Sequence, residues 1–162
     1  MTAEHEDTVT YGRERAHDLW DEVMPLGELH RQEIAHWKDM PLSPDIETYN
    51  GAEDLGMLRV YVARAGPALV GYAYFIVRRH LHYDAILANE DALFVHPDWR
   101  KGKVGYNLMR FAERDLRVEW SRRELLIAHH VKASTPHVAE LLERMNYELV
   151  DLIYVRRFPQ EG

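Results

Sequence analysis

The stretch HPDWRKGKVGYNLM, His96–Met109, gathers Arg100, Lys101 and Lys103 around Gly102 and closes on Gly105. An anion held there meets three full positive charges. Glycine lets the backbone turn tightly and approach a ligand. The first amides of the following helix have no internal acceptor, and the helix dipole adds partial positive charge at that end. A pyrophosphate satisfies all of these at once. The spacing is neither the G-x-G-x-x-G of dinucleotide sites nor the G-x-x-x-x-G-K-[ST] of nucleoside triphosphate loops. The plain structural reading is a solvated basic turn, so the surrounding elements decide between the two.

Behind the loop, Val104, Leu108, Phe111, Ala112 and Leu116 fall on one face of a helix. Ahead of it, AILANEDALFV reads as a strand. Two more strands precede that one: LRVYVARAG, which alternates like a half-buried strand, and LVGYAYFIV, apolar on both faces like a central one. Gly66–Pro67 and the HYD stretch supply short turns, so these three strands form an antiparallel meander. ELLIAHHV is a fourth strand, reached by a crossover that predicts a parallel neighbour. STPHVAELLERMN is a helix with Ser134 or Thr135 as N-cap, Pro136 at its first position and Asn146 at its end. YELVDLIYVRR reads as a last strand. Near the N-terminus, DTVTY forms at most a short edge strand. The pattern from about Arg13 to Trp37 is helical, and Pro25 and Gly27 split it into two helices. DMPLSPD is a loop, and ETYNGAEDLG a short helix or turn. The expected architecture is one α/β domain, residues 1–162, with 1–7 and 159–162 frayed.

The 162 residues suit one domain with a real core, and 46% hydrophobic against 29% charged residues marks a globular chain. No apolar run approaches the ~20 residues of a membrane helix, and MTAEHEDTV lacks the regions of a signal peptide. With no cysteine, disulfides, thiolate zinc sites and a cysteine nucleophile are excluded together, which fits a cytoplasmic location. A net charge of −7 argues against nucleic acid as partner and favours an amine-bearing one.

Taken together, V-H-P-D-W-R-K-G-K-V-G-Y-N-L resembles the acyl-CoA-binding segment of the GNAT superfamily of N-acyltransferases, in which V-x-P leads to [RQ]-x-x-G-x-[GA] and a helix. The basic residue falls on Arg100 and the last small residue on Gly105. Lys103 stands where the family has its middle glycine, with Gly102 one place earlier. The element order is similar to the family's from about residue 8 to 158, and HVAELLERMNYELV resembles its second helix motif. PLGELH, RKGKVG and HHVK look most like members carried by bacteriophages, for which the location becomes the host cytoplasm. The resemblance implies a mixed, mostly antiparallel sheet of about six to seven strands with about four helices. It implies acetyl-CoA as co-substrate, no metal, an amine acceptor and dimers among relatives. Backbone amides from Lys101 through Gly102, Lys103, Val104 and Gly105 to Tyr106 then bind the pyrophosphate. The strand edge at Phe94 and Val95 takes the pantetheine.

Acyl transfer to an amine needs a base, a donor for the developing oxyanion and a route out for the thiolate. The family's usual strand carboxylate position is Asn89 here. Asp91 is the first choice of base, because alternation places it with Asn89, Leu93 and Val95; Glu90 is the second. The usual tyrosine acid position is Leu142, which has no proton to give, and Tyr147 reads as a core residue. Histidines supply other candidates: His82 beside Tyr83, and His129 and His130 before Lys132, one of which should face the gap where acceptor and thioester meet. His30, Glu33 and His36 do not share a helix face, so they make a poor metal set. In the resemblance, His30 and Glu33 line the acceptor pocket. The leading expectation is an N-acetyltransferase acting by direct transfer. The alternative is a catalytically silent acyl-CoA-binding or regulatory module, and a metal-dependent hydrolase is a distant third.

Overall fold

The computed structural model describes residues 8–159, which form a single five-stranded sheet in the order β1-β2-β3-β4-β5. The strands are β1 (Val9–Glu14), β2 (Leu58–Ala65), β3 (Ala68–Arg79), β4 (Ala85–Val95) and β5 (Glu124–Ala128). The first four are antiparallel neighbours and β5 joins β4 in parallel. Helices α1 (Trp20–Ile34) and α2 (Ile46–Asp54) cover one face. Helix α3 (Val104–Glu119) covers the other, and α4 (Pro136–Arg144) ends beside it.

Local chemistry explains the elements. The β2–β3 hairpin closes on Gly66–Pro67, and Gly66 takes a φ of 58°, as the first central residue of a type II′ turn must. Asp45 caps α2 by accepting from the Thr48 amide at 3.0 Å. The stripe on α3 buries Val104, Leu108, Ala112 and Leu116 against Tyr61, Phe75 and Ala88, with Phe111 packed alongside. At the end of α4, Asn146 adopts a φ of 66°. The Tyr147 amide then reaches the Leu142 carbonyl and the Asn146 amide the Glu143 carbonyl, a Schellman closure. The buried Arg59 guanidinium pairs with Glu119 at 2.5 Å, tying β2 to the end of α3.

Four expectations need correction. Arg13 belongs to β1, an edge strand, and not to a helix. Helix α1 runs unbroken through Pro25 and Gly27. Pro25 lies on its exposed side, where water can serve the carbonyl that loses its partner. The sheet has five strands among the described residues, not six or seven. The strand expected over YELVDLIYVRR does not form: this segment leaves the Schellman turn without a ladder partner, exposing Leu149, Ile153 and Tyr154, and Arg157 ends on Asp39 at 2.8 Å. Alternating apolar residues supply a preference for extended backbone but not the neighbouring edge that a strand needs. The expectation of frayed ends at 1–7 and 159–162 lies, residue 159 apart, outside the described residues.

Candidate active site

The parallel ladder between β4 and β5 runs from Ala85–Glu124 to Asn89–Ala128 and stops there. β4 continues alone on that side through Val95, so its backbone edge from Glu90 onward faces a gap, with His129, His130 and Lys132 just beyond β5. At the head of the gap β4 carries a bulge. Phe75 pairs with Glu90 and Tyr74 with Ala92, leaving Asp91 as an extra residue. The bulge resets the alternation that sequence reading assumed. Leu93 and Val95 pack on the α3 side, whereas Asp91 accepts a hydrogen bond from the Tyr49 hydroxyl of α2, on the opposite side. Asp91 therefore does not share a face with Leu93 and Val95.

Glu90 turns toward α3. Its Oε2 lies 3.0 Å from His129 Nδ1, with the two side chains only 9% and 3% exposed. The His129 ring meets Phe75 and Tyr147 edge-on, at centroid distances of 5.7 and 5.0 Å, and its Nε2 is buried without a partner. Tyr147 donates to Glu113 at 2.7 Å, and burial together with that carboxylate pushes its phenol well above the ordinary range. Leu142, at the usual acid position, is buried core. His130 is exposed at the rim of the gap. His82 lies in the β3–β4 turn, at the opposite end of β4 from the bulge, where its amide donates to His80 Nδ1. The sequence thus brings Glu90, Asp91, His129 and His130 to one end of the sheet and leaves His82 at the other.

Beyond Val95 a short helical turn, Pro97–Trp99, leads through Arg100–Lys103 into α3. The Asn107 amide is the first to find an acceptor within the helix, the Lys103 carbonyl, and no side chain caps the end. The amides of Val104, Gly105 and Tyr106 are therefore available to a ligand. A Cβ on Gly105 would meet only Val95 Cγ2, at 3.6 Å, an ordinary contact. Arg100 is less available than its position suggests: it pairs with Glu33 at 2.9 Å, donates to the Val95 carbonyl at 2.7 Å and lies over the Phe94 ring. Glu33 is thus a strut for the loop. These bare amides, the exposed Lys101 and the open β4 edge fit a ligand with a pyrophosphate at one end and an extended, amide-bearing arm.

On the α1–α2 face a cavity of about 450 Å³ opens between Trp20, Trp37, Tyr49, Tyr72, Tyr74 and Ala92. His30 also lines it, bonded to the Tyr72 hydroxyl at 3.0 Å and stacked on Phe94. Burial, helped by the positive charges of Arg100 and Lys132 and opposed by Glu33, lowers the His30 pKa to about 4, so its imidazole is neutral near pH 7. Among the described residues the buried Tyr74 hydroxyl has no partner. Sequence reading passed over Tyr49, Tyr72 and Tyr74, since a tyrosine on an apolar strand or short helix looks like packing. His30, Glu33 and His36 do not converge, and among the described residues no group of three His, Asp or Glu side chains could hold a metal.

The sheet parts beside a bare helix N-terminus, with an aromatic cavity alongside. Residues 57–149 match the acetyltransferase (GNAT) domain model, and the chain belongs to that family. GNAT acetyltransferases use acetyl-CoA. Among solved structures, aminoglycoside acetyltransferase meta-AAC0020 from an uncultured soil metagenomic sample, in complex with sisomicin, has a TM-score of 0.71 at 16% identity, covering 96% of this chain and 99% of that one. The ribosomal-protein-alanine N-acetyltransferase of Brucella melitensis biovar Abortus 2308 has a TM-score of 0.70 at 19% identity, covering 93% and 99%. Aminoglycoside N-acetyltransferase AAC(6')-Iy, in complex with CoA, has 0.63 at 12% identity, covering 93% and 94%. At these identities the likeness is one of fold. No curated protein sequence matches the chain.

Proposed function

We propose that the protein is an N-acetyltransferase that moves an acetyl group from acetyl-CoA directly to a primary amine. The observation that carries this reading is the parting of β4 from β5 at Asn89–Ala128, with the bare α3 amides beyond it and the aromatic cavity beside it. Bound acetyl-CoA supplies an acyl carbon joined to a good thiolate leaving group. The amides of Val104–Tyr106, with Lys101 and Lys103, hold the pyrophosphate, and the free edge of β4 near Phe94 and Val95 orients the arm.

The acceptor amine comes from the cavity and meets Tyr49. Tyr49 lines the cavity and donates to Asp91, so it stands between acceptor and carboxylate. Burial and Asp91 both raise its phenol far above neutrality, which keeps the relay proton in place. One C–N bond forms as one C–S bond breaks. The proton shed by the amine passes to the Tyr49 oxygen while the Tyr49 proton passes to Asp91, which is exposed and returns it to solvent. The sulfur leaves as thiolate and is protonated in solvent. Glu90 and His129 act as positioning residues that hold the ends of β4 and β5 across the gap.

One feature favours a second reading, a silent acyl-CoA-binding module: Leu142 fills with core packing the place where a phenol acid is usual. Two measurements decide between them. Calorimetry with acetyl-CoA should give binding. A free-CoA release assay across amino acids, arylalkylamines, polyamines, aminoglycosides and lysine peptides should give turnover with at least one class. Binding with silence across the whole panel supports the module, and no binding at millimolar acetyl-CoA by the folded protein removes both readings.

A further inference from the structure

The acceptor cavity carries its own chemical signature, and it differs from that of the molecule as a whole. The chain bears a net charge of −7, which favours cations over its surface. Yet among the described residues no Asp or Glu side chain lines the cavity. Its walls are aromatic rings and apolar chains, and among the described residues its charged lining residues, apart from histidine, are Arg31 and Lys132. Arg31 is occupied, bonded through Nε and Nη2 to Glu28 at 2.7–3.2 Å. The Lys132 ammonium makes no ion pair among the described residues. Its charge reaches the cavity interior, since it is one of the groups that hold His30 neutral.

A polycationic acceptor would lose hydration at each ammonium here and find no carboxylate in return, which is costly in a low-dielectric site. A single amine on an apolar body loses little. The Tyr74 hydroxyl, 3% exposed as a residue and without a partner, is a polar atom waiting for one in the cavity floor. Tyr74 stands opposite Ala92, next to the Asp91 bulge, so this orphan lies at the level where the amine must react. Across the gap, Lys132 follows β5 by four residues and Ala92 follows the last ladder pair by three, and both line the same cavity. An anionic group attached close to the amine would therefore meet Lys132 while the amine meets Tyr49 and Tyr74.

We propose that the acceptor is a hydrophobic amino acid, taken through its α-amine, with its side chain among Trp20, Trp37 and Tyr72, its amine at Tyr49 and Tyr74, and its carboxylate on Lys132. This rests on the acetyltransferase reading and names its substrate class. The chemistry is that already given: the α-nitrogen gains the acetyl carbon, the thioester C–S bond breaks, and the amine proton leaves through Tyr49 and Asp91.

The test pairs binding with turnover. Trp20 and Trp37 line the cavity, so intrinsic fluorescence of the protein reports phenylalanine and phenethylamine directly. The free-CoA assay then compares phenylalanine, methionine, phenethylamine, spermidine and sisomicin, with acetyl-CoA binding measured on the same sample. Phenylalanine should bind and turn over at least about ten-fold better in kcat/KM than phenethylamine, and better still than either polycation. Lys132→Ala should collapse the phenylalanine-to-phenethylamine ratio towards one. A polycation as the better acceptor overturns the proposal, as does a ratio that Lys132→Ala leaves in place. Acetyl-CoA binding with turnover of another amine but of no amino acid overturns the proposal while leaving the acyltransferase reading intact, and binding with no turnover at all overturns the proposal and supports the silent module. Absence of acetyl-CoA binding overturns that reading instead, and the proposal with it.

Discussion

The Tyr49 hydroxyl donates its hydrogen bond to the Asp91 carboxylate, joining α2 to the one residue of β4 that has no partner across the sheet. If the pair works as a proton relay, removing either half should stop it. Tyr49→Phe and Asp91→Asn are each expected to lower kcat by about 10²-fold, the usual scale of a lost general base. The double variant should be little worse than either single one, because residues acting as a unit are not additive. Steady-state CoA release measures this, and unchanged calorimetric binding of acetyl-CoA would place the loss in the chemical step. Full activity in Tyr49→Phe would remove the relay.

Glu90 and His129 predict a different pattern. Each side chain is buried, and among the described residues the bond between them is the sole hydrogen bond of the His129 ring. Glu90→Ala should destabilise the fold by about 1–3 kcal/mol, because it strands a second imidazole nitrogen. Replacing both residues with leucine should cost less than Glu90→Ala alone, since no buried polar group is then left unpaired. Urea denaturation midpoints at constant slope give both numbers.

His30 makes stability depend on pH, and the sign is fixed. An unperturbed histidine binds its proton at a pKa of 6.5, whereas the folded His30 does so at about 4. Between these values the unfolded chain holds the extra proton, so stability rises with pH through the window. The contribution is complete above the upper value and is lost as pH falls toward the lower one, for a total of roughly 3 kcal/mol. His30→Phe should flatten the corresponding part of a stability profile measured between about pH 4 and about pH 8.

Gly105 separates folding from ligand binding. Alanine there meets only an ordinary contact with Val95, and in a helix it is favoured over glycine by up to about 1 kcal/mol. Gly105→Ala should therefore melt no lower than the parent. If the Gly105 amide lies against the pyrophosphate, the added methyl should weaken acetyl-CoA binding by about ten-fold or more. Differential scanning calorimetry and titration calorimetry read the two effects separately; equal affinity in the variant would move the anion elsewhere.

What the sequence disclosed, it disclosed through local pattern. The α3 stripe of Val104, Leu108, Ala112 and Leu116, the Gly66–Pro67 turn and the Asn146 stop are each set within a few residues, and each is where the pattern puts it. The features that resisted reading depend on what lies across the sheet or across the gap. The bulge at Asp91 leaves no mark, because Glu90, Asp91 and Ala92 suit a regular strand equally well; only the pairing of Phe75 and Tyr74 reveals it. Arg100 reads as a ligand's counter-charge until Glu33 is seen beside it. Tyr72 and Tyr74 read as core because their hydroxyls become polar neighbours of a cavity only once α1 and α2 stand over the sheet. The missing last strand is the converse case, a sequence with strand character and no edge to join.

The bulge also limits how such a protein can change. Up to Glu90, β4 directs its odd and even residues one way; from Ala92 the assignment is reversed. Substitutions can alter what stands at position 91, but they cannot move that position to the other face. Deleting Asp91 would remove the carboxylate and restore regular pairing, leaving Ala92 and Phe94 toward the cavity and Leu93 and Val95 toward α3, where they already stand. For this fold, then, diversification of the acceptor side by point mutation is confined to the lining residues. Gain or loss of the bulged residue itself requires gain or loss of a codon, a rarer event than a substitution, and one that the four residues beyond it can absorb without changing face.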